Sequence, residues 1–340
     1  MTAAVFAYSR RGCETARRAA AALPDAGARL FAAARLTEDG FAPIPQPSRT
    51  FYGDLFAACD ALVFVGSCGI AVRMIAPFVR DKKTDPAVIV IDERGRFVIP
   101  LLSGHIGGAN ALAQRLADAL GATGVITTAT DINGRFSVDA WAARRGWVIG
   151  DMAAAKHVSA AILEGDVPLC SEFPLRPPLP GGVTEGAEGP LGIYVGCRMA
   201  RPFAETLRIV PKALHLGIGC RRGTPEGTVR EAVETVLKEA GIDIRAVCGI
   251  ASIDMKRSEA GLLAYAAEEN LPLHFYTAEE LAAAETAGGF TDSDFVRRTV
   301  GVGNVCERAA VLDGGKLIVR KTAVNGVTVA AARKERRLVF

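Results

Sequence analysis

Apolar positions along the first 140 residues follow two alternating rhythms. Short runs at 5–8, 61–65, 88–92, 97–102 and 125–128 are rich in apolar and β-branched residues, the pattern of strands covered on both faces. Segments 15–22 and 109–120 instead repeat apolar residues every three to four positions, as amphipathic helices do; Pro24 ends the first and Gly121 closes the second. Another helical stretch runs on from Ile70, after Gly66-Ser67-Cys68-Gly69. Glu93-Arg94-Gly95 spaces 88–92 and 97–102 as an antiparallel hairpin. Strand and helix alternating in this way predict an α/β layer.

From Trp147 the rhythm breaks. One helical stretch, 152–163, precedes a passage dense in Pro174, Pro177, Pro178, Pro180, Gly181 and Gly182, with short strand-like runs such as 193–197. Residues 141–211 therefore read as a linker or small connecting domain. Beyond them the α/β rhythm returns. A strand at 215–218 leads to Thr224 and Pro225, an N-cap with proline at the first helical position, and a helix to Ala240-Gly241. Strand 247–253, helix 258–269 and strand 271–276 follow, and runs 317–322 and 327–332 flank Asn325-Gly326, a strong hairpin signal. The expected fold class is α/β: two three-layer α/β domains, 1–140 and 212–340, joined by a smaller Pro/Gly-rich middle region.

Composition narrows the function. A chain of 340 residues, half of them hydrophobic, is long enough for two cores and is not a disordered chain. Forty Lys and Arg against 37 Asp and Glu leave a net charge of +3, too little for nucleic-acid binding by bulk electrostatics, so an anionic ligand must be gripped locally. Arg333, Lys334, Arg336 and Arg337 read as a solvated tail and receive no role. There is no signal-like start and no run near the ~20 apolar residues of a membrane span, so the expectation is a cytoplasmic protein with no membrane partner. Eight scattered cysteines without a C-x-x-C pair, and four histidines none within four residues of another, predict reduced thiols and no protein-held metal.

The chemistry concentrates where strands meet loops. Four such places carry glycine or polar residues: 66–69, 103–108, 127–131 and 217–224. In open α/β sheets ligands bind at strand ends, and helix N-termini favour carboxylates or phosphates. A dinucleotide reading fails because Gly217-x-Gly219 has its third glycine at 223, one position late; P-loop and serine-hydrolase elbow motifs are missing. Topology ranks the loops. Strand 97–102 ends at Ser103-Gly104-His105, and a right-handed crossover through helix 109–120 makes strand 125–128 parallel to it, bringing Asp131 to His105. The antiparallel strand 88–92 starts at that edge, with Lys82, Lys83 and Asp85, and sends Asp92 and Glu93 away. A histidine beside an aspartate is a workable general base with its orienting partner, although a turn histidine also bonds backbone. Arg221 and Arg222, in a glycine loop, suit bidentate carboxylate binding or plain solvation. Cys68 and Cys220 read as small thiols rather than nucleophiles.

Taken as blocks, these residues resemble a known family. Phe64-Val65-Gly66-Ser67-Cys68-Gly69-Ile70-Ala71-Val72-Arg73, Asp81-Lys82-Lys83-Thr84-Asp85-Pro86, Leu101-Leu102-Ser103-Gly104-His105-Ile106-Gly107-Gly108-Ala109-Asn110 and Ile126-Thr127-Thr128-Ala129-Thr130-Asp131 are similar to the N-terminal domain of the cobalt-precorrin-5A hydrolases of the anaerobic vitamin B12 route. Gly217-Ile218-Gly219-Cys220-Arg221-Arg222-Gly223-Thr224, Ala251-Ser252-Ile253-Asp254-Met255-Lys256, Val300-Gly301-Val302-Gly303-Asn304 and Lys321-Thr322 resemble the C-terminal domain. The resemblance implies a hydrolase that opens the δ-lactone of cobalt-precorrin-5A, releases the two-carbon bridge as acetaldehyde and yields cobalt-precorrin-5B. The implied partner is a small-molecule cobalt-tetrapyrrole, with neighbouring enzymes of the route as further partners and a monomer or homodimer as the assembly. No cofactor is implied, because the cobalt is carried by the substrate.

No residue role comes with the resemblance, so the site is inferred from the loops. His105, oriented by Asp131, is expected to activate water at the lactone carbonyl, with Gly107 and Gly108 N–H groups or Lys82 and Lys83 at the oxyanion. Ser67, Arg73, Ser103, Gly104, Thr128, Thr130, Arg221, Arg222, Thr224, Asp254 and Lys256 are expected to bind substrate. Arg73 falls at the strand edge opposite His105, so its role requires a cleft between the outer domains. A carrier that binds the tetrapyrrole without turning it over is the alternative.

Overall fold

In the computed structural model, which describes residues 1–340 apart from 24–26, 37–39, 82, 83 and 106, the first apolar run becomes β1 (Ala3–Ala7). It is followed by α1 (Arg10–Ala21), β2 (Arg29–Ala33), β3 (Phe41–Ile44), α2 (Arg49–Ala58), β4 (Ala61–Val65), α3 (Cys68–Ile75), β5 (Ala87–Ile91), β6 (Phe97–Leu102), α4 (Ala109–Leu120), β7 (Thr123–Gly124), α5 (Ala129–Ile132) and α6 (Val138–Arg144). The strands form one sheet in the order β3-β2-β1-β4-β5-β6-β7, parallel at every step except β5/β6. Strands β1, β4 and β5 are buried on both faces, and alternate residues feed two cores. Val5, Val63 and Ile89 pack with Ala16 of α1 and Leu116 of α4. Phe6, Leu62, Phe64 and Val88 pack with Tyr52 of α2 and Ile75 of α3. That gives helix, sheet and helix, a three-layer unit spanning Met1–Arg144.

The second unit, Arg145–Phe340, carries two sheets. The first is built from β8 (Val148–Ile149), α7 (Met152–Glu164), β9 (Val167–Ser171), β10 (Val183–Glu185), β11 (Leu191–Val195) and β12 (Glu205–Val210). Its order is β10-β9-β11-β12-β8, parallel except β12/β8. The Pro/Gly-rich passage thus supplies the turns of a real sheet, and Asp151 caps α7 by accepting Ala153 N–H at 2.7 Å. The second sheet comes from β13 (Leu214–Gly219), α8 (Glu226–Glu239), β14 (Val247–Ile253), α9 (Ala260–Glu268), β15 (Leu273–Tyr276), α10 (Ala278–Ala282), α11 (Asp294–Val300), α12 (Cys306–Gly314), β16 (Lys316–Val324) and β17 (Val327–Arg333). The order is β15-β14-β13-β17-β16, with β13, β14 and β15 parallel and β17 antiparallel to both of its neighbours. The hairpin turns at Asn325 and Gly326, both at positive φ.

Two local expectations shift. Residues 125–128 are not a strand, because the β6/β7 ladder stops after Val125 N–H donates to Val98 O at 2.8 Å. The next donor in a parallel ladder would come from residue 100, which is proline and has no N–H to give. Helix α8 begins one residue late, with Pro225 as cap, since the Thr224 hydroxyl donates to Arg221 O at 2.9 Å instead of capping.

Candidate active site

Because β6 is antiparallel to β5 and parallel to β7, the loop leaving β6 and the loop leaving β7 open on one edge of the first sheet. Ser103 turns the chain at a φ of 58°, and its hydroxyl donates to Asp85 O at 2.9 Å, pinning the loop to the segment that enters β5. At Gly104 a Cβ would lie 2.8 Å from Asn110 Oδ1, so a side chain there would displace Asn110 from its place in the first turn of α4. His105 is held between these points, with its side chain 23% exposed.

His105 Nε2 lies 3.0 Å from Asp131 Oδ2 and 3.1 Å from Thr130 Oγ1. The same Asp131 oxygen accepts from Asn110 Nδ2 at 2.9 Å and from the Thr128 hydroxyl. Asn110 also donates to Thr128 Oγ1 at 2.9 Å. Partial burial raises the Asp131 carboxyl, but bonds from Thr128, His105 and Asn110 outweigh it and hold it below the usual carboxylate range. A carboxylate can only accept, so Nε2 carries the imidazole proton and Nδ1 is left with its lone pair. Nδ1 faces Asp139 Oδ1 at 3.7 Å, and that oxygen is fixed by Ser137 Oγ at 2.8 Å and Ala140 N–H at 2.9 Å. An imidazole of defined tautomer between two carboxylates can take a proton from water and keep the resulting charge.

The structure gathers Ser103, Gly104, His105, Thr128, Thr130 and Asp131 here, together with Asn110 and Asp139, which sequence reasoning missed. The Gly108 N–H is already spent on His105 O at 3.0 Å. For the Gly107 N–H, as for those of Gly104 and His105, no partner is found among the described residues, which leaves it available as a donor. Lys82 and Lys83 lie outside the described residues. Ser67 and Arg73 stand elsewhere: Ser67 caps α3 at the carboxyl end of β4, and β4 runs parallel to β5, so both belong to the edge opposite His105.

The second unit has its own ligand-sized feature, a cavity of about 350 Å³ at the carboxyl ends of β13 and β14. Arg221, Lys256 and Lys321 line it, facing an apolar wall that includes Ile253, Phe295 and Val305. Lys256 Nζ is steadied at 3.0 Å by Glu259, whose carboxyl is held low by the Gly223 N–H and by Lys256. Three cations against hydrocarbon suit a flat apolar body rimmed with carboxylates. Arg222, Thr224 and Asp254 do not line this cavity; Lys321 and Phe295 do, and neither was expected as a binding residue. Among the described residues no group of three or more His, Cys, Asp or Glu side chains is placed to hold a metal ion, and no helix is long and apolar enough to cross a membrane.

Comparison with known proteins agrees with this division. Residues 50–131 match the family model described as Cobalamin synthesis G N-terminal, and residues 214–332 match Cobalamin synthesis G C-terminus. A cobalt-precorrin-5A hydrolase of Salmonella typhimurium (strain LT2) is 37% identical, covering 96% of both chains. One from Priestia megaterium is 33% identical over 84% of this chain and 81% of its own. A crystal structure of a putative cobalamin biosynthesis protein G homolog from Sulfolobus solfataricus covers 98% of this chain and 97% of its own at 22% identity, with a TM-score of 0.42. The end-to-end likeness to the Salmonella enzyme, at an identity above one residue in three, makes this chain a member of the cobalt-precorrin-5A hydrolase family.

Proposed function

We propose that the chain hydrolyses cobalt-precorrin-5A, opening the δ-lactone and releasing acetaldehyde to give cobalt-precorrin-5B. The full-length kinship with the Salmonella hydrolase carries the reaction. The imidazole held between Asp131 and Asp139 supplies a base for it. Cobalt enters with the substrate, and the protein provides anion grips and proton transfer.

Asp131 fixes the His105 tautomer, so Nδ1 removes a proton from a water bonded beside it and Asp139 as that water attacks the lactone carbonyl. The Gly107 N–H stabilises the developing oxyanion. Collapse breaks the ring C–O bond, and the imidazolium returns its proton to the departing oxygen. The freed hydroxyl gives up its proton and its oxygen becomes the aldehyde carbonyl as the adjacent carbon–carbon bond breaks; the electron pair of that bond passes to the macrocycle, which takes up a proton in turn. In the second unit, the charge of Arg221, Lys256 and Lys321 suits the carboxylates that rim a tetrapyrrole.

The test is anaerobic incubation of the purified chain with cobalt-precorrin-5A. One acetaldehyde per substrate is the expected result. Tight binding with no acetaldehyde would make the protein a tetrapyrrole carrier and overturn the hydrolytic reading.

A further inference from the structure

A second cluster of reactive side chains lies in the sheet that carries the cationic cavity, but at the opposite strand ends. The cavity is at the carboxyl ends of β13 and β14; this cluster is where both strands begin. Cys248 Sγ stands 3.2 Å from His215 Nε2, and His215 Nδ1 stands 2.7 Å from Asp313 Oδ2. The other Asp313 oxygen meets His274 Nδ1 at 2.7 Å and accepts from the Tyr276 hydroxyl at 2.9 Å. The His215 and Asp313 side chains are 6% and 8% exposed, whereas Cys248 is half-buried. A Cβ at residue 249 would lie 2.8 Å from His215 Nδ1, so Gly249 is what admits the imidazole to this position.

Thiol, imidazole and carboxylate in series form the arrangement that activates a nucleophile: a base on the sulfur and an acid group orienting the base. We propose that Cys248, His215 and Asp313 form a nucleophilic thiol centre, separate from His105, that adds to small carbonyl electrophiles of the aldehyde class. Nε2 takes the thiol proton, and sulfur bonds to the carbonyl carbon as the C=O π pair moves to oxygen. The imidazolium then returns the proton to that oxygen. The product is a hemithioacetal, and no oxidant or reductant is consumed.

The groups that set the charge at the sulfur come from several elements. His215 belongs to β13, and Lys212 precedes it, with Nζ 3.3 Å from Val247 O. Asp313 belongs to α12, and His274 and Tyr276 to β15; the Cys197 thiol is close enough to interact electrostatically. Burial lowers the His215 imidazole, but the hydrogen bonds to Asp313 and Cys248 outweigh this and push it up to about 9. That basicity suits the imidazole to hold the proton that leaves the sulfur. The centre stands without the lactone reaction, which contributes only the choice of acetaldehyde as probe.

The experiment is iodoacetamide labelling of the full reduced chain at pH 7, read cysteine by cysteine by peptide mass spectrometry, with and without excess acetaldehyde. At pH 7 a free thiol is only a few per cent ionised, so Cys248 should label about tenfold faster than the half-buried Cys68, Cys170 and Cys220. Acetaldehyde should protect it. His215→Gln should slow it about tenfold. In the wild-type chain alone, a Cys248 rate no faster than that of the other half-buried cysteines, or one indifferent to acetaldehyde, would overturn the proposal. So would unchanged labelling in folded His215→Gln.

Discussion

His105 Nδ1 stands 3.7 Å from Asp139 Oδ1, too far for a direct hydrogen bond and too close for a water between them, so a water bonded to both lies to one side of the pair. Asp131 occupies the opposite nitrogen, so the two carboxylates have different tasks: one fixes the tautomer and the other receives the water. Replacing each should therefore give a different result.

Asp139→Asn keeps a carbonyl oxygen for Ser137 Oγ and the Ala140 N–H, so the folded state should be little affected. It removes the negative charge facing the water. The expected outcome is a fall in kcat of about tenfold with KM within about twofold, measured by acetaldehyde release. An unchanged kcat would limit Asp139 to anchoring the start of α6.

Asp131→Asn should cost more. An amide in that place offers a donor as well as an acceptor and ceases to enforce the Nε2–H tautomer, while Asn110 and Thr128 lose their anionic acceptor. A fall in kcat of about 100-fold is expected, with corrinoid binding retained. Equal losses in Asp131→Asn and Asp139→Asn would argue against the division of tasks.

In the second unit, Arg221→Ala and Lys321→Ala should weaken substrate binding by about tenfold each, more at low salt than at high, and leave kcat nearly unchanged. Absorbance titration with the corrinoid substrate measures this. A loss confined to kcat would place these cations at the reacting bond.

The meeting of His105 and Asp131 is legible in the sequence, because a hairpin followed by a crossover of fixed hand puts residues 105 and 131 at one sheet edge whatever the side chains do. Asp139 was not legible. It sits in the first turn of a seven-residue helix whose position depends on how residues 133–137 turn. The stop at Pro100 was written in the sequence, yet it acquires meaning only once the register shows which strand lacks a donor. Arg221 and Lys256 were expected from their own loops, but Phe295 and Lys321 reach the cavity from α11 and β16, and only the assembled sheet places them there. In the middle region the strand order β10-β9-β11-β12-β8 is set by long-range pairing, for which breaker density holds no signal.

Stability should carry the mark of the His215–Asp313 pair. His215 is raised from its ordinary value to about 9, so its contribution is complete below about pH 6.5 and is lost as pH rises through about 9. That contribution is on the order of 3 kcal/mol. Thermal melting of the wild-type chain should lose stability between pH 7 and pH 10, and His215→Gln should start lower and lack that part of the decline. Parallel curves for the two proteins would show that the pair is not charged in the folded state.

The most direct measurement is single-turnover acetaldehyde release from cobalt-precorrin-5A by His105→Ala beside the wild-type chain, with corrinoid binding followed in the same samples. The imidazole as general base predicts a rate lower by about 10²–10⁴ with binding preserved within a few-fold. Near-wild-type release from the alanine variant would contradict it.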